Sequence, residues 1–280
     1  MSYSKIKSHA KVNLALNVVG RSKSLHRIES IISFLDLHDE IKISKIYAKK
    51  HKIRFIGKFS NGIKSKNTIS QLLEIIDKKK ILKNRYQIIV KKNIPLKAGL
   101  GGGSMNAASI INFLIKKKIV KIKKKKILEI SNLIGSDVIL GLHTKNLVLK
   151  SNNQIKTLSL KKNFHTLIIK PNFGCSTKKI YSKIKNFTKP KFHSVSGKMF
   201  SSKFLKNMKN DLETVALNEF PKLKILKNFL ENLTYVEFVR MTGSGSAIIA
   251  YFSSVKKCKE AKKKVKKQFK NYWCKISKTI

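Results

Sequence analysis

The stretch Pro95-Leu96-Lys97-Ala98-Gly99-Leu100-Gly101-Gly102-Gly103-Ser104-Met105-Asn106-Ala107-Ala108 sets four glycines within five positions, between two segments of different pattern. Before it, Tyr86 to Val90 reads as a strand; after it, Ala107, Ile111, Leu114 and Ile115 recur at helical spacing. Glycines admit positive φ and let a backbone approach a ligand closely, and the amides at a helix start are free to bind phosphate oxygens. The stretch therefore reads as a phosphate cradle, with the amides of Gly101, Gly102, Gly103 and Ser104 as donors. A flexible turn capped by Ser104 is the alternative, but it has no need of so many glycines. No Gly-Lys-Ser/Thr follows, so this is not a P-loop, and the ribose-binding context of a dinucleotide fold is missing.

Outward from the cradle, Val12, Leu14, Leu16 and Val18 alternate with Lys11, Asn13, Ala15 and Asn17, which predicts a strand carrying Lys11 and Asn13 on one face. Further strands are expected at Ile41 to Ile46 and His51 to Ile56, with a helix marked by Ile69, Leu72, Leu73 and Ile76. Ile127, Ile130, Leu133 and Ile134 mark another helix that ends before Gly135, and the lysine run between Lys116 and Lys126 reads as a solvated face and turn. Short strands and loops follow. The second half reads as a strand at His165 to Lys170, helices near Thr177 to Ile184 and Asp211 to Leu217, strands at Tyr235 to Met241 and Ser246 to Phe252, and a helix striped by Val255, Cys258, Ala261, Val265 and Phe269. A last strand closes the order, which suggests an antiparallel sheet with helices on one face. The class is α+β, with a domain boundary expected near residues 151–162, dividing 1–155 from 156–280.

Composition bounds the function. The chain has 280 residues, 42% hydrophobic, with a formal charge of +48, a charge that invites nucleic acid. Yet only five arginines occur, so 57 of the 62 basic residues are lysine, whereas base and bidentate phosphate recognition favour the guanidinium fork. Lysine, isoleucine, asparagine and phenylalanine, all with AT-rich codons, are abundant together, so drift of the genome toward AT accounts for the charge. No specific nucleic-acid partner is expected. Cys175, Cys258 and Cys274 are odd in number and far apart, which suggests neither a disulfide framework nor a zinc site and fits a reducing cytoplasm. No apolar run approaches a membrane span, and no membrane partner is expected.

Five stretches carry a resemblance to a known family. The cradle resembles the Pro-x-x-x-Gly-Leu-Gly-x-x-x-x-Ala loop of the GHMP kinases. Ala10-Lys11-Val12-Asn13-Leu14 resembles an Ala-Lys-Ile-Asn-Leu opening within that family. His26, followed by Glu29-Ser30 and Phe34-Leu35-Asp36-Leu37-His38-Asp39, is similar to a Gly-Tyr-His segment and the Phe-x-Asp-x-x-Asp behind it. Ile134-Gly135-Ser136-Asp137-Val138 resembles Leu-Gly-Ala-Asp-Val, and Thr242-Gly243-Ser244-Gly245-Ser246, with Asn210-Asp211-Leu212-Glu213, resembles the C-terminal Ser-Gly-x-Gly loop and its Asn-Asp-Leu-Glu companion. Together they span residues 10 to 246, in the family's order along the chain.

The resemblance implies a two-domain GHMP kinase fold: an N-terminal ribosomal-protein-S5-domain-2-like domain, a C-terminal ferredoxin-like α/β sandwich, and an active site in the cleft between them. It implies ATP and Mg2+ as cofactors and, in the branch this chain resembles most, a small-molecule cytidyl diphosphate alcohol phosphorylated on its 2-hydroxyl. Lys11 and Asp137 would be catalytic, Asp137 as proton acceptor or as orienting group for the hydroxyl. Pro95, Gly99, Leu100, Gly101, Gly102, Gly103, Ser104 and Asn106 would hold ATP, with Ser104 as a candidate magnesium contact. Asn13, His26, Tyr181, Gly243 and Gly245 would meet the substrate. Tyr181 reads equally as a stacking face or a core aromatic. The chain departs from the family pattern at Leu25, where a tyrosine usually precedes the histidine, at Met105 and at Ile139. Two other readings stand at this point: a GHMP kinase for homoserine or mevalonate, which fits the Ala-Lys-Val-Asn start less well, and a lysine-rich RNA-binding protein, which lacks an aromatic RNA-binding motif.

Overall fold

The computed structural model describes residues 3–22, 25–159 and 163–280, so the far end of the expected boundary, residues 160–162, lies outside them. By its contacts the chain forms two compact units. One comprises Met1–Lys11, Leu37–Leu96 and Gly101–Thr144; the other comprises Val12–Asp36, Lys97–Leu100 and Lys145–Ile280.

Two long strands, β1 (Ser4–Ser22) and β2 (Leu25–Ile46), pair with each other and run through both units. The alternation read over Val12 to Val18 does not separate a wet face from a dry one. Ala10 to Val19 are all buried, Lys11 and Asn13 included.

In the first unit, β4 (Arg85–Lys91) lies antiparallel to β2 with Ile41 opposite Val90 and Ile43 opposite Ile88, and β3 (Lys52–Ile56) runs parallel to β4. Alternate residues of these strands meet helices α1 (Thr68–Lys78), α2 (Gly102–Lys116) and α3 (Lys124–Ile134) in one core. Helix α1 starts where Asn67 and Ser70 cap each other reciprocally, and it buries the four apolar residues expected from their spacing. Each buried Leu or Ile contributes roughly 1.5 to 3 kcal/mol relative to exposure, so the periodicity alone fixes which face turns inward. Gly135 ends α3, and a short helix α4 (Val138–Gly141) follows.

In the second unit β5 (Asn146–Leu149) pairs with β2, Ser30 opposite Leu149, and with β6 (Ile155–Leu158). The other sheet is antiparallel in the order β10 (Trp273–Lys278), β7 (His165–Lys170), β9 (Ile248–Phe252), β8 (Phe238–Met241). Its Leu167, Ile169, Val239, Met241, Ile248, Ala250 and Phe252 share a core with helices α7 (Asp211–Glu219), α8 (Pro221–Glu231) and α9 (Val255–Gln268), the arrangement expected from the order of elements. The remaining helices are α5 (Thr177–Ser182) and α6 (Ser202–Lys206).

Helices α4 and α6 were not expected, and two further elements differ from expectation for identifiable reasons. Helix α8 is not among the expected elements, although Leu223, Leu226 and Leu230 carry its buried face and Pro221 stands at its start, because it has no polar side-chain cap. Strand β8 begins at Phe238 rather than Tyr235, whose φ of 67° cannot continue a strand. All three cysteines are buried free thiols. Among the described residues, no helix is long and apolar enough to cross a membrane.

Candidate active site

In the first unit the expected cradle is the start of α2. Gly101 occupies the N-cap in the left-handed region, φ 68°, with no side-chain cap, and the first internal helix bond runs from the Met105 amide to the Gly101 carbonyl at 2.9 Å. The amides of Gly102, Gly103 and Ser104 precede it, where a helix leaves its donors unbonded. The buried face of α2, from Met105 to Leu114, fixes the helix against the core, so this end is held rather than free to swing. The Thr68 hydroxyl at the start of α1 adds a bond of 2.8 Å to the Gly103 carbonyl.

Lys11 and Asp137 meet beside this helix start. Lys11 Nζ lies 3.2 Å from an Asp137 carboxylate oxygen; the lysine side chain is 5% exposed and the aspartate 34%. The lysine stem lies against Gly101, where an added Cβ would stand 2.7 Å from Lys11 Cγ, so a side chain at Gly101 and Lys11 in its present place exclude each other. Asp137 arrives on the turn after Gly135, and a Cβ on Gly135 would lie 3.9 Å from Ser104 Oγ. Asp137 sits at the N-cap of α4 yet makes no capping bond. Asn106 is buried with its Oδ1 unpartnered, and Pro95 is buried too. The missing Cβ atoms, the uncapped amides, the Ser104 hydroxyl and the Lys11 ammonium together form a donor set suited to a polyphosphate. Among the described residues, no group of three or more His, Cys, Asp or Glu side chains could hold a metal ion.

In the second unit the Thr242 to Ser246 loop packs on the first part of the glycine stretch. The Asn13 amide donates to Thr242 Oγ1 (3.1 Å), whose hydroxyl donates to the Gly99 carbonyl (3.2 Å), and Ala247 N–H reaches the Ala98 carbonyl (3.2 Å). Gly99 is obligatory, since its φ is 74° and a Cβ would lie 2.0 Å from the Thr242 carbonyl oxygen. Leu100 is buried. Asn13 Nδ2 donates to Ser30 Oγ at 2.8 Å, which fixes the orientation of its amide. Gly243 and Gly245 both have positive φ and are buried. Asn210 holds their loop by donating to the Met241 and Gly243 carbonyls at 2.9 and 2.8 Å, while its Oδ1 caps α7 through Leu212 N–H. Glu213 accepts the Met241 amide at 2.7 Å.

His26 is half-buried, with Tyr181 at 5.0 Å and Phe187 at 6.3 Å between ring centroids, and Leu25 beside it is 68% exposed. Burial first and the Arg21 guanidinium second hold the imidazole below its ordinary value, favouring the neutral ring. Tyr181 packs against the core and stands beside His26. Sequence reasoning passed over Phe187. An exposed phenylalanine in the lysine-rich Lys185-Asn186-Phe187-Thr188 was the available signal. Its segment is pinned by Thr188, which bonds to the Val18 carbonyl and to Asp211, and by Glu29, whose carboxylate accepts the amides of Lys191 and Phe192.

Comparison with known proteins bears on this arrangement. The GHMP kinases N terminal domain matches residues 67–144, from the cap of α1 through α4. A 4-diphosphocytidyl-2-C-methyl-D-erythritol kinase of Pelagibacter ubique is 57% identical over 281 residues, covering all of both chains. Among solved structures, a 4-(cytidine 5'-diphospho)-2C-methyl-D-erythritol kinase superposes with a TM-score of 0.76 at 20% identity, over 98% of this chain and 99% of that one. A homoserine kinase from Cytophaga hutchinsonii gives 0.72 at 16% identity, over 100% and 95%; at these identities the likeness is one of fold.

Proposed function

Because the chain belongs to the 4-diphosphocytidyl-2-C-methyl-D-erythritol kinase family of the GHMP kinases, we infer that it transfers a phosphoryl group from ATP to the 2-hydroxyl of that cytidyl diphosphate alcohol, in the methylerythritol phosphate route to isoprenoids. The observation that carries the chemistry is the Lys11–Asp137 pair set against Gly101 at the uncapped start of α2.

Phosphoryl transfer asks for an in-line hydroxyl, shielding of phosphate charge and a place for one proton. The substrate oxygen forms a bond to the γ-phosphorus, the bond from that phosphorus to the bridging oxygen breaks, and ADP leaves. Asp137 takes the hydroxyl proton and orients the alcohol. Lys11 offsets charge on the transferred phosphoryl group. The amides from Gly101 to Ser104 hold the ATP phosphates, with Gly99 and Leu100 shaping the approach and Pro95 and Asn106 fixing the loop from within. Asn13, Gly243 and Gly245 position the alcohol. His26 reads the cytosine edge as a neutral imidazole, and Tyr181 and Phe187 flank it. Magnesium, with Ser104 as its side-chain contact, would neutralise phosphate charge.

The nucleotide-binding half is residues 1–155, and residues 156–280 supply Tyr181 and the second glycine loop. The reaction belongs in the cytoplasm, where three buried free thiols stay reduced, and needs neither nucleic acid nor membrane. The test is ADP release by purified protein with ATP, magnesium and the cytidyl alcohol, beside homoserine and mevalonate, in wild type and Asp137→Ala. Turnover confined to the cytidyl substrate and lost in the variant is expected. Turnover on homoserine or mevalonate alone would overturn the substrate assignment.

A further inference from the structure

Behind the helix start in the first unit lies a buried ion pair that the chemistry above does not use. Lys92 is 2% exposed and Asp39 is 0% exposed, and their charged groups are in direct contact. The other Asp39 oxygen accepts two backbone amides, those of Asn93 at 2.7 Å and Ile94 at 2.9 Å. Lys92 N–H bonds to the Ile56 carbonyl at 2.7 Å, and Asn93 Nδ2 to the His38 carbonyl at 3.0 Å. Three consecutive residues at the exit of β4 are thereby fixed.

That exit touches the first residue of α2. A Cβ built on Gly102 would lie 3.1 Å from Ile94 Cγ2 and 3.4 Å from Lys92 Nζ. The ammonium is among the atoms nearest that position and the carboxylate is not, so the pair presents its positive end to Gly102. This is the sense in which the helix dipole already favours an anion. A buried pair is a poor device for stability alone, because apolar residues of the same volume hold a fold as well without the loss of hydration. With 57 lysines available, the chain has ample room to keep such charges in water.

We propose that Lys92 and Asp39 are positioning residues for the ATP phosphates. Asp39 sets the turn from β4 that carries Ile94 against Gly102, and Lys92 places positive charge beside Gly102 at the helix start. The proposal rests on the assignment of this loop to ATP. The pair acts through the loop, so it governs the phosphate end of the nucleotide and leaves the nucleoside end alone.

The experiment compares wild type, Lys92→Met, and the neutral double variant Asp39→Asn/Lys92→Met for thermal stability, ADP and adenosine affinity by calorimetry, and steady-state kinetics. Lys92→Met strands a buried carboxylate and should melt well below wild type, while the double variant recovers most of the loss. The double variant should still bind ADP about tenfold more weakly, the change that 1.4 kcal/mol makes, with adenosine affinity unchanged and a matching rise in KM for ATP rather than a fall in kcat. Should the double variant not fold, Lys92→Gln keeps a donor to Asp39 without the charge and is expected to separate ADP from adenosine in the same way. Wild-type ADP affinity in a folded variant, or an equal loss for ADP and adenosine, would overturn the proposal and leave the pair a purely structural one. A wild-type protein that bound neither ADP nor ATP would remove the assignment on which the proposal rests.

Discussion

Replacing Gly101 with alanine separates the backbone demands of the glycine loop from its chemistry. Gly101 has φ +68°, and so does not differ in kind from Gly62, at φ +83° on the surface of the same unit. An L-residue in that region costs about 1 to 2 kcal/mol, which for a chain of this size lowers Tm by roughly 2 to 8 °C. The two sites differ in what a methyl group would meet. At Gly62 it meets nothing within 4 Å; at Gly101 it stands 2.7 Å from Lys11 Cγ and 3.1 Å from Cε. Carbon atoms rest about 3.5 to 4.0 Å apart, so the Lys11 stem must move by close to 1 Å. Its ammonium then leaves the 3.2 Å contact with Asp137. A displacement of that size at a reacting centre costs about 100-fold in rate. Gly62→Ala and Gly101→Ala should therefore melt within a few degrees of each other, while ADP release with saturating ATP falls about 100-fold in Gly101→Ala and less than about twofold in Gly62→Ala. A folded Gly101→Ala enzyme within about fivefold of wild type would refute the reasoning, and so would a Gly62→Ala enzyme that lost as much.

Other perturbations have equally definite outcomes. Asp137→Asn should lower kcat by about 100- to 10,000-fold and also lower Tm, because the buried Lys11 loses its charged partner; a folded variant with kcat within about tenfold of wild type would remove the proton-acceptor role. Burial and Arg21 hold His26 below the ordinary imidazole range, so the imidazole takes up its proton only at lower pH; KM for the cytidyl substrate should rise as pH falls, with KM for ATP unaffected, and an inflection above about pH 6.5 would contradict the neutral-ring reading. Asn210→Ala removes a helix cap and two bonds to the second glycine loop, which should cost about 2 to 4 kcal/mol by urea unfolding and weaken substrate binding; a loss confined to stability would uncouple the loop from the substrate.

Periodicity made most of the fold legible. The spacing of Ile69, Leu72, Leu73 and Ile76, and the alternation through Ile41 to Ile46, depend only on which face meets the core, and that information is local. Lys11, Asp137 and the glycine loop were likewise picked out, through short motifs that resemble a known family, and the fold brings them together. What escaped depends on contacts distant in sequence. Phe187 reaches His26 only because Glu29 and Asp211 pin the intervening polar segment, and no short pattern announces that. Lys92 read as one lysine among many; its burial follows from Asp39, 53 positions away.

The scarcity of acids turns this last difficulty into evidence. A chain with 62 basic and 14 acidic residues has kept few carboxylates for solubility, so each survivor near a functional loop invites the question of what it holds. Asp39, Glu29, Asp211 and Glu213 answer it in the same way: each accepts at least one backbone amide, and each fixes a turn or strand end. Asp137 is the exception. It opens the four-residue α4 from a helical backbone, makes no capping bond, and faces Lys11 while one-third exposed. In a chain with so few carboxylates, one that faces a buried lysine and solvent rather than a backbone amide fits the proposed role of proton acceptor for the alcohol.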